Sequence, residues 1–252
     1  MAAKPRFLKA AIGFLVGLGV GGVVAWSLAR PSVRGGTKTH GDSELVKGLL
    51  AEDLSDRRFS FATIAEACSG KMVLPLDDSE AHQRVTAAIR EALVATLAEM
   101  NKEDAPVRKL RRINEASRFF EDGLLARIDA MPGLSCGIPM TRSGDHQRSG
   151  YPDLRIVDEA SGTVFYLDPK LVERNSAAST FRTFYFEPKD ETLKITDDAV
   201  HLLVGIEHDG QTRRWTFTGW RLVDLSTLQV RLKAEFQASN KELYEGVKPE
   251  TP

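Results

Sequence analysis

The sequence predicts an α/β protein with a helical first half, a sheet in the second half and one apolar segment near the N-terminus. Three observations predict it. After residue 79, apolar residues recur at helical spacing at Val85, Ile89, Leu93, Leu97 and Met100. Between Leu154 and Leu225, runs of β-branched and aromatic residues alternate with turn chemistry. No charge interrupts Ala10–Ala29, a length that one membrane-spanning helix needs. The 252 residues give room for an anchor and one sizeable domain, and 42% hydrophobic content excludes a disordered chain. Lys and Arg number 34 against 35 Asp and Glu, so bulk charge announces no nucleic acid; any such contact needs a local basic surface.

In chain order, the apolar segment comes first. Lys4, Arg6 and Lys9 precede it, Trp26 stands where an interfacial anchor belongs, and Arg30 and Arg34 follow. It ends in Ser-Leu-Ala-Arg-Pro without a small-x-small cleavage site, which favours a retained single-pass anchor over a cleaved signal. Gly13, Gly17 and Gly21 share one helix face, so a homodimer through that face in the lipid bilayer is expected. The basic flanks nearly balance, and the short N-terminal tail tips the soluble domain toward the extracytoplasmic side. The expected organisation is an anchor with its short tail over 1–30, a linker over 31–42, a helical region over 43–103, a core over 104–245 and a tail over 246–252.

Helices are expected over Ser43–Leu54, over Ala62–Cys68 and from the Asp77–Ser79 cap to about Met100. A second long helix should begin at Pro106, with Asp104 as cap and a stripe of Val107, Leu110, Ile113, Phe120, Leu124 and Ile128. Glu121 falls on the flank of that buried stripe. Lys109, Arg111 and Arg112 read as a solvated face. Leu134–Met140 is a candidate first strand. Val200–His208 and Arg213–Leu225 read as a strand pair around Asp209-Gly210, and Leu232–Glu245 as a closing helix. Ser179–Phe186 fits neither pattern decisively. Cys68 and Cys136 have no metal-ligand spacing and read as two buried free thiols; a disulfide would need an oxidising compartment.

The stretch Tyr151–Leu171 carries the chemistry. Asp153 opens one short apolar run, Glu159–Gly162 supplies a turn, and a second run from Thr163 ends in Asp168-Pro169-Lys170. If the runs pair antiparallel, the start of the first lies beside the end of the second, and Asp153 and Asp168 converge at one edge. Like charges held that close need a cation. Magnesium, a hard ion with oxygen ligands, is the natural candidate, with manganese as a substitute, and Lys170 would orient or help deprotonate a bound water.

Pro-Asp, a turn and Asp-x-Lys together resemble the PD-(D/E)XK nuclease superfamily, over roughly Asn114–Asp224. The resemblance implies a restriction-endonuclease-like core over 104–245: a mixed central sheet flanked by helices. It also implies a helix before the first strand whose glutamate joins the metal site, and Arg118-Phe119-Phe120-Glu121-Asp122 places that role on Glu121. The x of Asp-x-Lys supplies a backbone carbonyl to the metal, here that of Pro169. Proline keeps that carbonyl and loses only its N–H, so the strand must be an edge or bulge there. The expected activity is a membrane-tethered, metal-dependent DNA endonuclease leaving 5′-phosphates, with Asp153, Asp168, Lys170 and Glu121 at its centre. In that setting Arg142, His146 and Arg148, in the polar loop Thr141–Gly150, and Arg182 further on are candidates for binding phosphate. Each also reads as an ordinary loop or surface residue.

Two rival readings stand beside this one. A nuclease-like domain can bind nucleic acid or a protein without cutting it. Alternatively the motif is accidental in a membrane protein that oligomerises through its glycines, in which case Asp153 and Asp168 would lie apart. A serine or cysteine hydrolase has no nucleophile elbow here, and zinc has no clustered His and Cys set.

Overall fold

A computed structural model describes residues 39–52, 54, 57–176, 179, 184–233 and 238–246. The chain divides into two units, Met1–Leu50 and Ala51–Pro252. Helix α1 (Thr39–Ala51) is the described part of the first and carries an exposed Lys47–Glu44 ion pair at 2.9 Å. In the second unit, β1 (Arg58–Ser60), α2 (Phe61–Ser69), β2 (Val73–Leu74), α3 (Glu80–Met100), α4 (Ser117–Asp129) and β3 (Leu134–Gly137) come first. Then follow β4 (Leu154–Asp158), β5 (Thr163–Glu173), β6 (Ala199–His208), β7 (Phe217–Asp224), β8 (Gln229–Arg231) and α5 (Asn240–Tyr244).

The expected mixed sheet flanked by helices is present. Strand β3 pairs antiparallel with β4, and β4 with β5. Strand β5 runs parallel to β6, whose far side takes β2 in parallel at its start and β7 antiparallel along the rest. Side chains alternate across this sheet, as the twofold period of a strand requires. On one face Phe165, Leu167, Val200, Leu202 and Val204 join Ile89 and Leu93 of α3 and Phe120 and Leu124 of α4 in one core. On the other, Val164, Tyr166 and Ala199 pack with Phe61 and Ala65 of α2. Helix α3, placed by sequence in a region ahead of the core, is therefore a layer of the core itself. Its cap is the expected one: Ser79 accepts from the backbone N–H of His82.

Several expectations need correction. The long helix from Pro106 is broken into 3₁₀ turns over Pro106–Lys109 and Ile113–Ala116, with extended backbone at Leu110 and Arg112, and only Ser117–Asp129 is α-helical. Tertiary contacts override the periodicity: the Trp215 indole N–H donates to the Leu110 carbonyl at 2.8 Å, and Arg108 reaches the Trp215 carbonyl at 3.1 Å. Strand β7 starts at Phe217 because Arg213, with φ 64°, sits in a turn that closes through Asp209. The closing helix shrinks, among the described residues, to Asn240–Tyr244. Part of the predicted stretch just before it leads out of β8, which pairs with β1.

The single-pass membrane location is also corrected. Among the described residues no helix is long and apolar enough to cross a membrane. Residues 1–30, including the Gly13, Gly17 and Gly21 face, lie outside the described residues, so nothing supports a bilayer contact or a homodimer through them.

One polar clamp joins α3 to the β4–β5 turn. Buried Asp158 accepts two bonds from Arg84, at 3.0 and 2.9 Å, and two more from the Ser161 backbone and hydroxyl. The Arg84 hydrogen bonds, aided by Ser161, hold the Asp158 carboxyl down at about 2. A depressed carboxylate contributes stability above the unfolded value near 4 and loses it as pH falls toward 2. Asp158→Asn should therefore cost about 1–2 kcal/mol at neutral pH, a modest figure because Arg84 is half exposed, and almost nothing at pH 2. Urea unfolding at the two pH values measures this, and an equal loss at both would contradict it.

Candidate active site

The β4–β5 hairpin positions the candidate residues. Its register pairs Leu154 with Leu167 and Asp158 with Thr163, so one step beyond Leu154 brings Asp153 opposite Asp168. Pairing with β4 ends at Leu167, whereas pairing with β6 continues to Glu173. Pro169, paired with Val204 of β6, thus lies where β5 is locally an edge. Two carboxylates meet at this point, and Lys170 returns between them. Its Nζ is 3.2 Å from Asp153 Oδ2 and 2.7 Å from Asp168 Oδ2. Asp153 and Asp168 therefore converge, and the reading in which they lie apart is excluded.

The electrostatics are those of a crowded, buried acid pair. Asp168 is 2% exposed, and its Oδ2 has no hydrogen bond of good angle although the Lys170 ammonium is close, so that contact is ionic rather than directional. Burial, then the Asp153 charge, push the Asp168 carboxyl up to about 8 against the pull of Lys170. Burial also disfavours charge on Lys170, but the two carboxylates outweigh it and raise its pKa. Glu121, on α4, is raised by burial and by the Asp153 charge, with Arg148 and Lys170 opposing. It therefore belongs to the same electrostatic cluster, as its place on the flank of the helix suggested.

The phosphate candidates divide. Arg148 turns inward to Glu121 at 3.4 Å and Asp122 at 2.6 Å. Arg142 is committed elsewhere: its guanidinium donates to the carbonyls of Cys68 and Ser69 at the end of α2 and faces Asp190. His146 is exposed in the loop, which is pinned by a backbone bridge to Met140. Arg182 lies outside the described residues. Cys136 is a buried free thiol as expected, but Cys68 is only partly buried.

Sequence reasoning missed Lys194. It lies between Leu193 and Ile195, and strand-like alternation would turn it to solvent; instead all three are buried. The strap carrying it is gripped by Arg155, which holds Asp197 at 2.9 and 2.8 Å, and by Tyr166, whose hydroxyl accepts from the backbone N–H of Thr196 and donates to Asp197. Lys194 donates to the Arg148 carbonyl at 3.5 Å and interacts electrostatically with Asp153, Asp168 and Glu121. No local signal in the sequence distinguishes it from a surface lysine.

Oxygen donors on two buried strands, an apposed glutamate and a local-edge carbonyl form a chemically hard donor set suited to magnesium or manganese. Among the described residues, no three His, Cys, Asp or Glu side chains are drawn together closely enough to hold an ion as they stand, because Lys170 takes the place between Asp153 and Asp168.

A mixed sheet flanked by helices, with Pro-Asp and Asp-Pro-Lys meeting at one edge, defines a protein of the restriction-endonuclease-like α/β class. Residues 54–247 match the model of the Type II restriction enzyme MjaV family, and the chain belongs to that family. It is similar to the Type II restriction enzyme MjaV of Methanocaldococcus jannaschii, at 29% identity over 214 residues, covering 80% of this chain and 92% of that protein.

An acid kept short of partners destabilises the fold that holds it. Because the folded Asp168 binds its proton more tightly than the unfolded chain does, stability is fullest near pH 4 and declines as pH rises toward 8. Asp168→Asn should thus stabilise the metal-free chain by about 1–3 kcal/mol at pH 8 and by almost nothing at pH 4. Thermal unfolding at both values checks the sign; destabilisation at pH 8 would contradict the arrangement.

Proposed function

We propose that this chain is a divalent-metal-dependent endonuclease that hydrolyses DNA phosphodiester bonds at the β4–β5 edge. The observation that carries the proposal is the convergence of Asp153 and Asp168 on Lys170, 3.2 and 2.7 Å from its ammonium. Membership of a family of Type II restriction enzymes supports DNA as the substrate. In this reading Asp153, Asp168 and the Pro169 carbonyl would hold magnesium or manganese, with Glu121 completing or bridging the site. When bound, the ion supplies a Lewis acid that lowers the pKa of water and offsets charge on the phosphoryl oxygens.

The chain's own residues do the rest. Lys170 is held protonated by its two carboxylates, so it orients the attacking water and stabilises negative charge rather than taking the proton. The water oxygen bonds to phosphorus as the phosphorus–O3′ bond breaks in line. The water loses a proton to solvent and the leaving O3′ gains one, giving a 5′-phosphate and a 3′-hydroxyl. Arg148 keeps Glu121 and Asp122 turned toward the Arg148 loop and fixes the approach to the site.

Supercoiled and linear DNA incubated with the full chain tests this directly. Cleavage should require magnesium or manganese, stop with chelator, and fall by at least about a hundredfold in Asp168→Ala and in Lys170→Ala. A folded protein that leaves every DNA intact under all metal conditions would instead fit a non-catalytic binding module.

A further inference from the structure

The site contains a second ammonium for which the proposed hydrolysis has no use. Lys194 is fully buried, and its bond to the Arg148 carbonyl, at 3.5 Å, is too long to explain an ammonium removed from water. Its position is not accidental. Arg155 and Tyr166, both on the two strands of the catalytic hairpin, clamp Asp197 and the Thr196 backbone, while the backbone N–H of Arg142 donates to Leu193 at 2.9 Å. Two sides of the site thus fix the strap on which Lys194 stands. The charges it answers to are Asp153, Asp168 and Glu121 as attractions and Lys170 as a repulsion.

Those charges balance without a metal. Asp153, Asp168 and Glu121 face Lys170, Lys194 and Arg148, three carboxylates against three cations. A divalent ion entering alone would leave an excess of positive charge in a partly buried space, where Coulomb repulsion is strong. A DNA phosphate arriving with it would remove much of that excess.

We propose that Lys194 is a positioning residue of the candidate site: its buried ammonium balances the carboxylates of Asp153, Asp168 and Glu121 in the DNA-free protein, so that metal and DNA phosphate load together. This rests on the metal-dependent reading given above. Lys194 does not touch substrate; it sets the charge that the site presents to the ion.

Calorimetry with Mn²⁺ on the full, DNA-free chain tests it, comparing the natural protein with Lys194→Met and Lys194→Arg. Removing the charge should tighten Mn²⁺ binding roughly tenfold, while the arginine that keeps it should stay close to the natural affinity. A purely structural role would weaken metal binding, so a gain in affinity is the diagnostic result. The Mn²⁺ concentration needed for plasmid cleavage should fall in parallel in Lys194→Met. If that variant loses its native circular dichroism, Lys194→Gln carries the same test. No gain in affinity in a folded variant, from a natural protein that does cut DNA, overturns the role of Lys194 alone. A natural protein that neither cuts DNA nor binds Mn²⁺ in its presence overturns the metal-dependent reading, and this proposal with it.

Discussion

Two carboxylates set opposite one another at a strand edge cannot both stay ionised and buried without a cation, and the architecture around β4 and β5 answers that constraint. Lys170 provides the first part of the answer, two residues after Asp168 on the same strand and therefore on the same face. Its ammonium is held charged by the pair it separates, while Asp168 is driven toward its neutral form by burial and by Asp153. The fold keeps this repulsive arrangement because apolar packing on both sides of β5, where Tyr166, Phe165 and Leu167 are fully buried, holds the strand in register.

The two faces of the sheet divide the work. One is a core of aliphatic and aromatic side chains from α3 and α4, which gives the hairpin a rigid backing. The other is smaller and carries polar connections among its apolar residues: Tyr151 to His201 at 2.7 Å, Tyr166 to Asp197, and Arg155 to Asp197. Those connections lead to the strap bearing Lys194 and to the loop bearing Arg148. The face with fewer apolar contacts is the one that shapes the site, as expected where side chains must be aimed by hydrogen bonds.

Local pattern made much of this legible. The hairpin, its turn and the meeting of Asp153 with Asp168 followed from alternation and from the antiparallel geometry that a short turn imposes. The cap at Ser79 and the stripe of α3 were equally plain. Glu121 could be placed only through resemblance to a nuclease superfamily, since a carboxylate on a helix flank has no distinctive spacing. What stayed hidden depended on contacts distant in sequence. Trp215, 105 residues beyond Leu110, claims a carbonyl that an uninterrupted helix would have used. Arg142 looked like a phosphate ligand in a polar loop, but the free carbonyls at the end of α2 take its guanidinium. Lys194 between two apolar residues looked like a solvent-facing position, and only the grip on Asp197 turns its segment inward. The apolar N-terminal segment invited a membrane assignment that no described helix supports.

The central claim is that the β4–β5 edge is a metal site in which Asp153 and Asp168 act together. Anomalous diffraction from crystals of the full chain with a DNA duplex and Mn²⁺ addresses it most directly. The account predicts a manganese peak bonded to oxygens of both Asp153 and Asp168 and to the Pro169 carbonyl, with a DNA phosphate in the same coordination shell. A fully occupied ion elsewhere on the chain, with Lys170 still bridging the two carboxylates beside bound DNA, would contradict it.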